Sequence, residues 1–257
     1  MTVQTPHYRH KLSFRYAVTL LANLLRIGIA GITGIIAARA LGPDGYGTVN
    51  FLLATFSSAI TLMALGSADA FYTFISAGRR GPLLFRAFFG FILLPYALLA
   101  LFIAAAPAGL AAAVWRNLPA GLLLLGLSAA FLMYTLWTVM QQIGESTRET
   151  VQVQKIRIGI VLANFLAVSG LALCGSLDAR LFLLTIIATH TGAIIWFCVR
   201  FKWETVIDAG RPETLPALLG QFGAYCTPIA ALAAVSAMSA FGDKWFLQTF
   251  AGAAQQG

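Results

Sequence analysis

The residues with most chemistry to offer in this sequence stand in an apolar setting. Arg26 interrupts a long hydrophobic run near the amino terminus. On a helix turning 100° per residue, Thr19, Asn23, Arg26 and Thr33 lie within about 40° of one direction. Asn50, Ser57 and Thr61 make a second stripe in the next run, with the small Ala54 completing that face. A charge at the centre of a bilayer costs about 2.5–3.5 kcal/mol on insertion scales, so it usually faces a bundle interior or a watery cavity. Hydroxyls alone would suit interhelical hydrogen bonds equally well. Arg26 tilts the reading toward a cavity wall, because a guanidinium only donates and needs an anionic or carbonyl partner.

Other charged residues near the runs have plainer readings beside the functional one. Arg39, near the far end of the first run, has the reach to snorkel to the interface or to bond a carbonyl there. Asp69 either pairs with a cation from another helix or caps a helix that restarts there. Asp243 and Lys244 are adjacent near the end of the last run, where a local ion pair and a coupling role are both open. His190, flanked by Thr189 and Thr191, reads as a hydrogen-bonded bundle residue rather than a proton relay. Cys174, Cys198 and Cys226 fall in or near apolar runs without CxxC or metal spacing and read as small core residues. No nucleophile–base pair, phosphate loop or metal cluster is present in the pattern, so neither an enzyme nor a cofactor or metal site is expected.

The elements that must position these residues follow from composition. The 257 residues are 59% hydrophobic and 10% charged, against roughly 25% charged in soluble domains. A chain so poor in charge needs the bilayer as solvent, and the alternation that a membrane barrel would show is absent. The expected fold is therefore all-α and polytopic, with about seven transmembrane helices. Seven runs are long enough for a hydrocarbon core of about 30 Å. They fall near 16–40, 48–76, 84–106, 119–140, 157–175, 181–200 and 222–250. Gly- and Pro-rich turns separate them, and Pro95 and Pro228 inside runs are expected to kink their helices.

The net charge of +8 would suggest nucleic acid in a soluble protein, but here it reads as topology control and contact with anionic membrane lipid. Segments on the amino-terminal side hold Arg9, Lys11 and Arg15; Arg79, Arg80 and Arg86; Arg148, Lys155 and Arg157; and Arg200, Lys202 and Arg211. The opposite loops hold only Arg116 and Arg180. This asymmetry predicts a cytoplasmic amino terminus, and one span more or less would scramble it. Trp115, Trp203 and Tyr46, near run ends, are expected to anchor at the interface.

At the first turn, Ala38-Arg39-Ala40-Leu41-Gly42-Pro43-Asp44-Gly45-Tyr46-Gly47 resembles the AR-x-LGP-x-x-YG junction of Wzx-type polysaccharide and O-antigen flippases. These belong to the multidrug/oligosaccharidyl-lipid/polysaccharide exporter superfamily. Asn23-Leu24-Leu25-Arg26 is similar to that family's first helix, and Phe241-Gly242-Asp243-Lys244-Trp245-Phe246-Leu247 to its seventh. The resemblance implies one six-helix lobe of a two-lobe transporter over residues 1–200. A cytoplasmic linker over 201–220 and the first helix of a second lobe over 221–257 would follow. A weak echo of Gly42 and Gly47 at Gly252 and Gly257 falls where a second lobe would repeat the first. On this reading the chain is truncated or partial, and a second half-transporter is an expected partner.

The resemblance also implies a ligand, a polyprenyl-pyrophosphate-linked oligosaccharide crossing the bacterial inner membrane by alternating access. Arg26 would pair its pyrophosphate, while Asn23, Asn50 and Ser57 would bond sugar hydroxyls. Two rival expectations remain: a cation-coupled multidrug exporter of the same superfamily, for which Asp69 is the main acidic candidate, and a non-transporting membrane remnant or assembly partner.

Overall fold

In the computed structural model, residues 12–64, 66–78, 81–107, 114–115, 118–201, 203–204, 214–246 and 250 are described. They form a set of helices, and no strand occurs among the described residues. The helices are α1 (Leu12–Ala64), α2 (Ser67–Ser76), α3 (Pro82–Ala105), α4 (Ala120–Ser146), α5 (Thr150–Leu173), α6 (Ala179–Arg200) and α7 (Leu215–Phe246). Among the described residues, six helices are long and apolar enough to cross a membrane: α1, α3, α4, α5, α6 and α7. The chain is thus an all-α multi-pass membrane protein.

The first of these helices supplies two of the seven expected runs. α1 has 53 residues, and a straight helix of that length would measure about 80 Å at 1.5 Å per residue. It breaks at Gly42, whose φ of 68° and ψ of 173° are not helical. A side chain with a Cβ pays in strain at that φ, whereas glycine does not. Pro43 then opens the next helical stretch, where its missing N–H costs nothing. The chain folds back there: a Cβ built on Gly34 would meet the Tyr46 hydroxyl at 3.5 Å. Twelve positions along an unbroken helix would separate those residues by about 18 Å.

The second expected run, 48–76, is divided. Gly66 adopts φ 75°, ending α1 and letting α2 begin at Ser67. Asp69 lies in the first turn of α2, where its charge suits the helix dipole, although its side chain makes no cap. Pro95 and Pro228 do not break their helices: α3 and α7 run continuously through them. α7 begins at Leu215, so its first turns fall inside the expected linker, and it packs mainly on α1. Residues 251–257, including Gly252 and Gly257 of the weak echo, lie outside the described residues.

Two apolar clusters hold the bundle. One gathers Phe51, Leu52 and Phe56 of α1 with Leu123 and Leu127 of α4 and Leu183 of α6. There Gly126 lets α4 close on α1, because a Cβ at that position would meet Leu52 at 3.0 Å. The other cluster gathers Phe71, Phe88, Ile143 and Phe197, with Phe71 and Phe88 stacked at 3.9 Å between ring centroids. Gly144 serves the same purpose there, lying directly against Val153. Trp115 is not an interfacial anchor: it is 4% exposed and packs against Phe56 and Phe102. An apolar ring in a bilayer gains as much from a packed neighbour as from lipid, so position near a run end does not dictate anchoring.

Candidate functional site

Five helical stretches turn one stripe each toward a common hollow of about 480 Å³. α1 contributes Arg26, Ala30, Thr33 and Gly34 before its break, and Tyr46, Asn50 and Leu53 after it. α4 contributes Tyr134, Trp137, Thr138 and Gln141, α5 contributes Arg157, Val161 and Asn164, and α6 contributes Phe182, Ile186 and His190. Each set follows the i, i+3/i+4, i+7/i+8 repeat that puts residues on one helix face. Between Phe131 and Leu136 α4 loosens into a π-helical turn. That irregularity lies where Met133 and Tyr134 enter the wall, and π-turns recur at functional sites.

Charge in the hollow has one sign. Arg26 and Arg157 both line it, and none of its described lining residues is acidic. Arg26 Nε is buried and has no hydrogen-bond partner. Arg157 lies within electrostatic reach of both Arg26 and Glu145. The Glu145 carboxylate accepts a bond of 3.0 Å from Gln141 Nε2. Two guanidiniums facing one partly enclosed space repel each other, and an anion placed between them would relieve that repulsion while accepting their N–H bonds.

Some neutral polar groups in and beside the hollow are held locally. Thr33 donates to Ile29 O at 2.8 Å. Thr185 donates to Phe182 O at 2.8 Å and lies 3.0 Å from Asn164 Oδ1. Tyr96 and Ser128 share a bond of 3.1 Å outside the hollow.

Of the residues singled out from sequence, Arg26 and Asn50 are brought together in the wall. Asn23 and Ser57 are not; Ser57 donates to Ala54 O at 3.0 Å within its own helix. Arg39, Asp69 and Asp243 are exposed and stand outside the hollow, and the side chain of Lys244 lies outside the described residues. Arg157 corrects the loop-charge count. It belongs to the span α5 and to the cavity, so it drops out of the twelve basic residues counted from the sequence on the amino-terminal side. Tyr46 also lines the hollow. Sequence reasoning also missed Gln141, Tyr134 and Asn164. The signal was there, since Arg157 and Asn164 stand seven apart in one apolar run, as do Tyr134 and Gln141 in another.

Fold and site together define a class: a multi-pass helical membrane protein with a cavity among its spans whose described lining carries two arginines and no carboxylate. No protein family, curated protein or solved structure matches the chain closely enough to specify the class further.

Proposed function

We propose that the chain binds a polyprenyl-pyrophosphate-linked oligosaccharide and carries it across a bacterial inner membrane as one lobe of a flippase. The observation that carries this reading is the pair Arg26 and Arg157 in a hollow without an acidic lining residue. Glu145 offsets one charge at Arg157, so the second cation of the pair remains costly unless a ligand supplies further negative charge. The tyrosines, Trp137, Asn50 and Asn164 around them offer ring faces and hydrogen bonds suited to a hydroxylated group beside the anion. The isoprenoid tail would stay in lipid while the polar part exchanges water for the wall. The resemblance of residues 38–47 and 241–247 to Wzx-type flippases supports the same substrate class. The loop charges favour a cytoplasmic amino terminus.

Alternating access in this reading rocks this lobe against a second one, supplied by further chain or by a partner half-transporter. A cation-coupled drug exporter is disfavoured by placement: Asp69 is exposed on α2, away from the hollow. Native mass spectrometry of the full chain with an undecaprenyl-pyrophosphate-linked sugar and with undecaprenol tests the reading. The pyrophosphate compound should bind at least about 10-fold tighter, as expected for charge-assisted hydrogen bonds. Arg26→Ala should remove most of that preference while membrane insertion stays normal. Equal binding of the two compounds would end the proposal.

A further inference from the structure

His190 is the cavity group that anion binding leaves unused. It is 7% exposed and sits on α6 one turn beyond Ile186, in line with Phe182. Its Nδ1 lies 2.8 Å from the Ile186 carbonyl oxygen. A carbonyl oxygen only accepts, so Nδ1 carries the proton. In the neutral ring the lone pair then rests on Nε2, which makes that atom an acceptor. Nε2 has no hydrogen-bond partner among the described residues. The hollow is the open space that His190 lines.

The two arginines and this nitrogen ask for opposite things. Arg26 and Arg157 only donate, so a bare anion satisfies them and offers nothing to a lone pair. A ligand carrying a hydroxyl beside its anionic group satisfies both. A hollow of 480 Å³ is about 10 Å across if round, so one sugar ring next to a phosphate bridges the distance between these walls.

We propose that His190 Nε2 accepts a hydrogen bond from a hydroxyl of the sugar adjoining the bound phosphate, making His190 a specificity-determining residue. This rests on the anion-binding reading of the same cavity, and the probes separate the two. The full chain in detergent is titrated with glucose 1-phosphate and with cyclohexyl phosphate, which has the same ring size and charge but no hydroxyl. The expected result is tighter binding of glucose 1-phosphate by about 10-fold, the scale of one well-made hydrogen bond to a buried acceptor.

His190→Phe should bring the two affinities to within about threefold, and His190→Gln, which keeps an acceptor, should restore part of the difference. A readout on the unaltered protein guards against misfolding of either variant. With 15N-labelled histidine, the Nε2 resonance of His190 should move on addition of glucose 1-phosphate and stay in place with cyclohexyl phosphate. Equal affinities in the unaltered protein, or an unmoved Nε2 signal at saturating glucose 1-phosphate, overturns the role of His190 while leaving anion binding intact. Failure of both phosphates to bind sinks the anion-binding reading itself.

Discussion

The bundle contains two hollows of opposite character. The larger, about 480 Å³, brings two arginines, two asparagines and a histidine together from α1, α5 and α6, with Gln141 of α4 beside them. The smaller, about 260 Å³, lies where α1, α3 and α7 meet the segment around Trp115, and Phe56, Leu62, Leu99 and Met238 dominate its wall. Its few polar groups do not equip it for a polar ligand. Thr55 Oγ1 and Trp115 Nε1 are buried there without partners, and none of its described lining residues is charged. Both hollows are flanked by the same kind of apolar helix, so hydrophobicity does not distinguish them. The difference is that charge has been concentrated in one. A membrane protein tolerates an ionised side chain where water or a counter-charged ligand can reach it, and among the described residues the two half-buried arginines of the spans, Arg26 and Arg157, both line the larger hollow.

The largest expected effect follows from the arginine that loop counting had assigned elsewhere. Arg157→Ala should weaken binding of an undecaprenyl-pyrophosphate-linked sugar by about 10- to 100-fold, the worth of one or two charge-assisted hydrogen bonds. Native mass spectrometry reads it, and an unchanged affinity would make the two hollows functionally alike. Filling each hollow sharpens the contrast. Ala30→Phe projects a ring into the larger one and should lower the same affinity about 10-fold, whereas Ala59→Phe in the smaller should leave it within about twofold.

A smaller effect belongs to packing outside both hollows. Gly144→Leu forces α4 away from Val153 on α5 and should destabilise the bundle by about 1–3 kcal/mol, seen as a lower midpoint of thermal unfolding in detergent. The smallest effect is expected at Ser57. Its hydroxyl is satisfied within α1, so Ser57→Ala should change stability by no more than about 0.5 kcal/mol and leave ligand binding unaltered. A marked loss of binding in that variant would return Ser57 to the cavity wall.

How much of this was legible beforehand depends on the range of the signal. Span-length apolar runs announce themselves locally, and all seven expected runs overlap helices of the bundle. Arg26 was legible as a cavity residue because a cation in the middle of a long apolar run has few alternatives. Arg157 was misread because it stands at the edge of its run, beside Lys155, where a basic residue resembles a loop charge. The exposed Lys155 and the half-buried Arg157 differ only in the face of α5 they occupy. Asn23 and Asn50 looked alike as members of stripes, yet only Asn50 lines the hollow. The break at Gly66 was hidden inside one continuous apolar stretch, because a glycine there reads equally as a tolerated helix residue.

The sequence by itself determined that the chain is a helical membrane protein, since a 59% hydrophobic chain with so few charges has no other way to satisfy its backbone. It also placed a cation on the first helix. Only the tertiary structure decided that Arg157, Asn164 and His190 face Arg26 across one hollow while Asn23, Ser57 and Asp69 do not. The physical reason is that a helix's periodicity defines its faces but not which of them a neighbour will cover. That choice is made by close packing, at Gly126, Gly144 and the fold-back at Gly42, where shape rather than polarity brings the helices together.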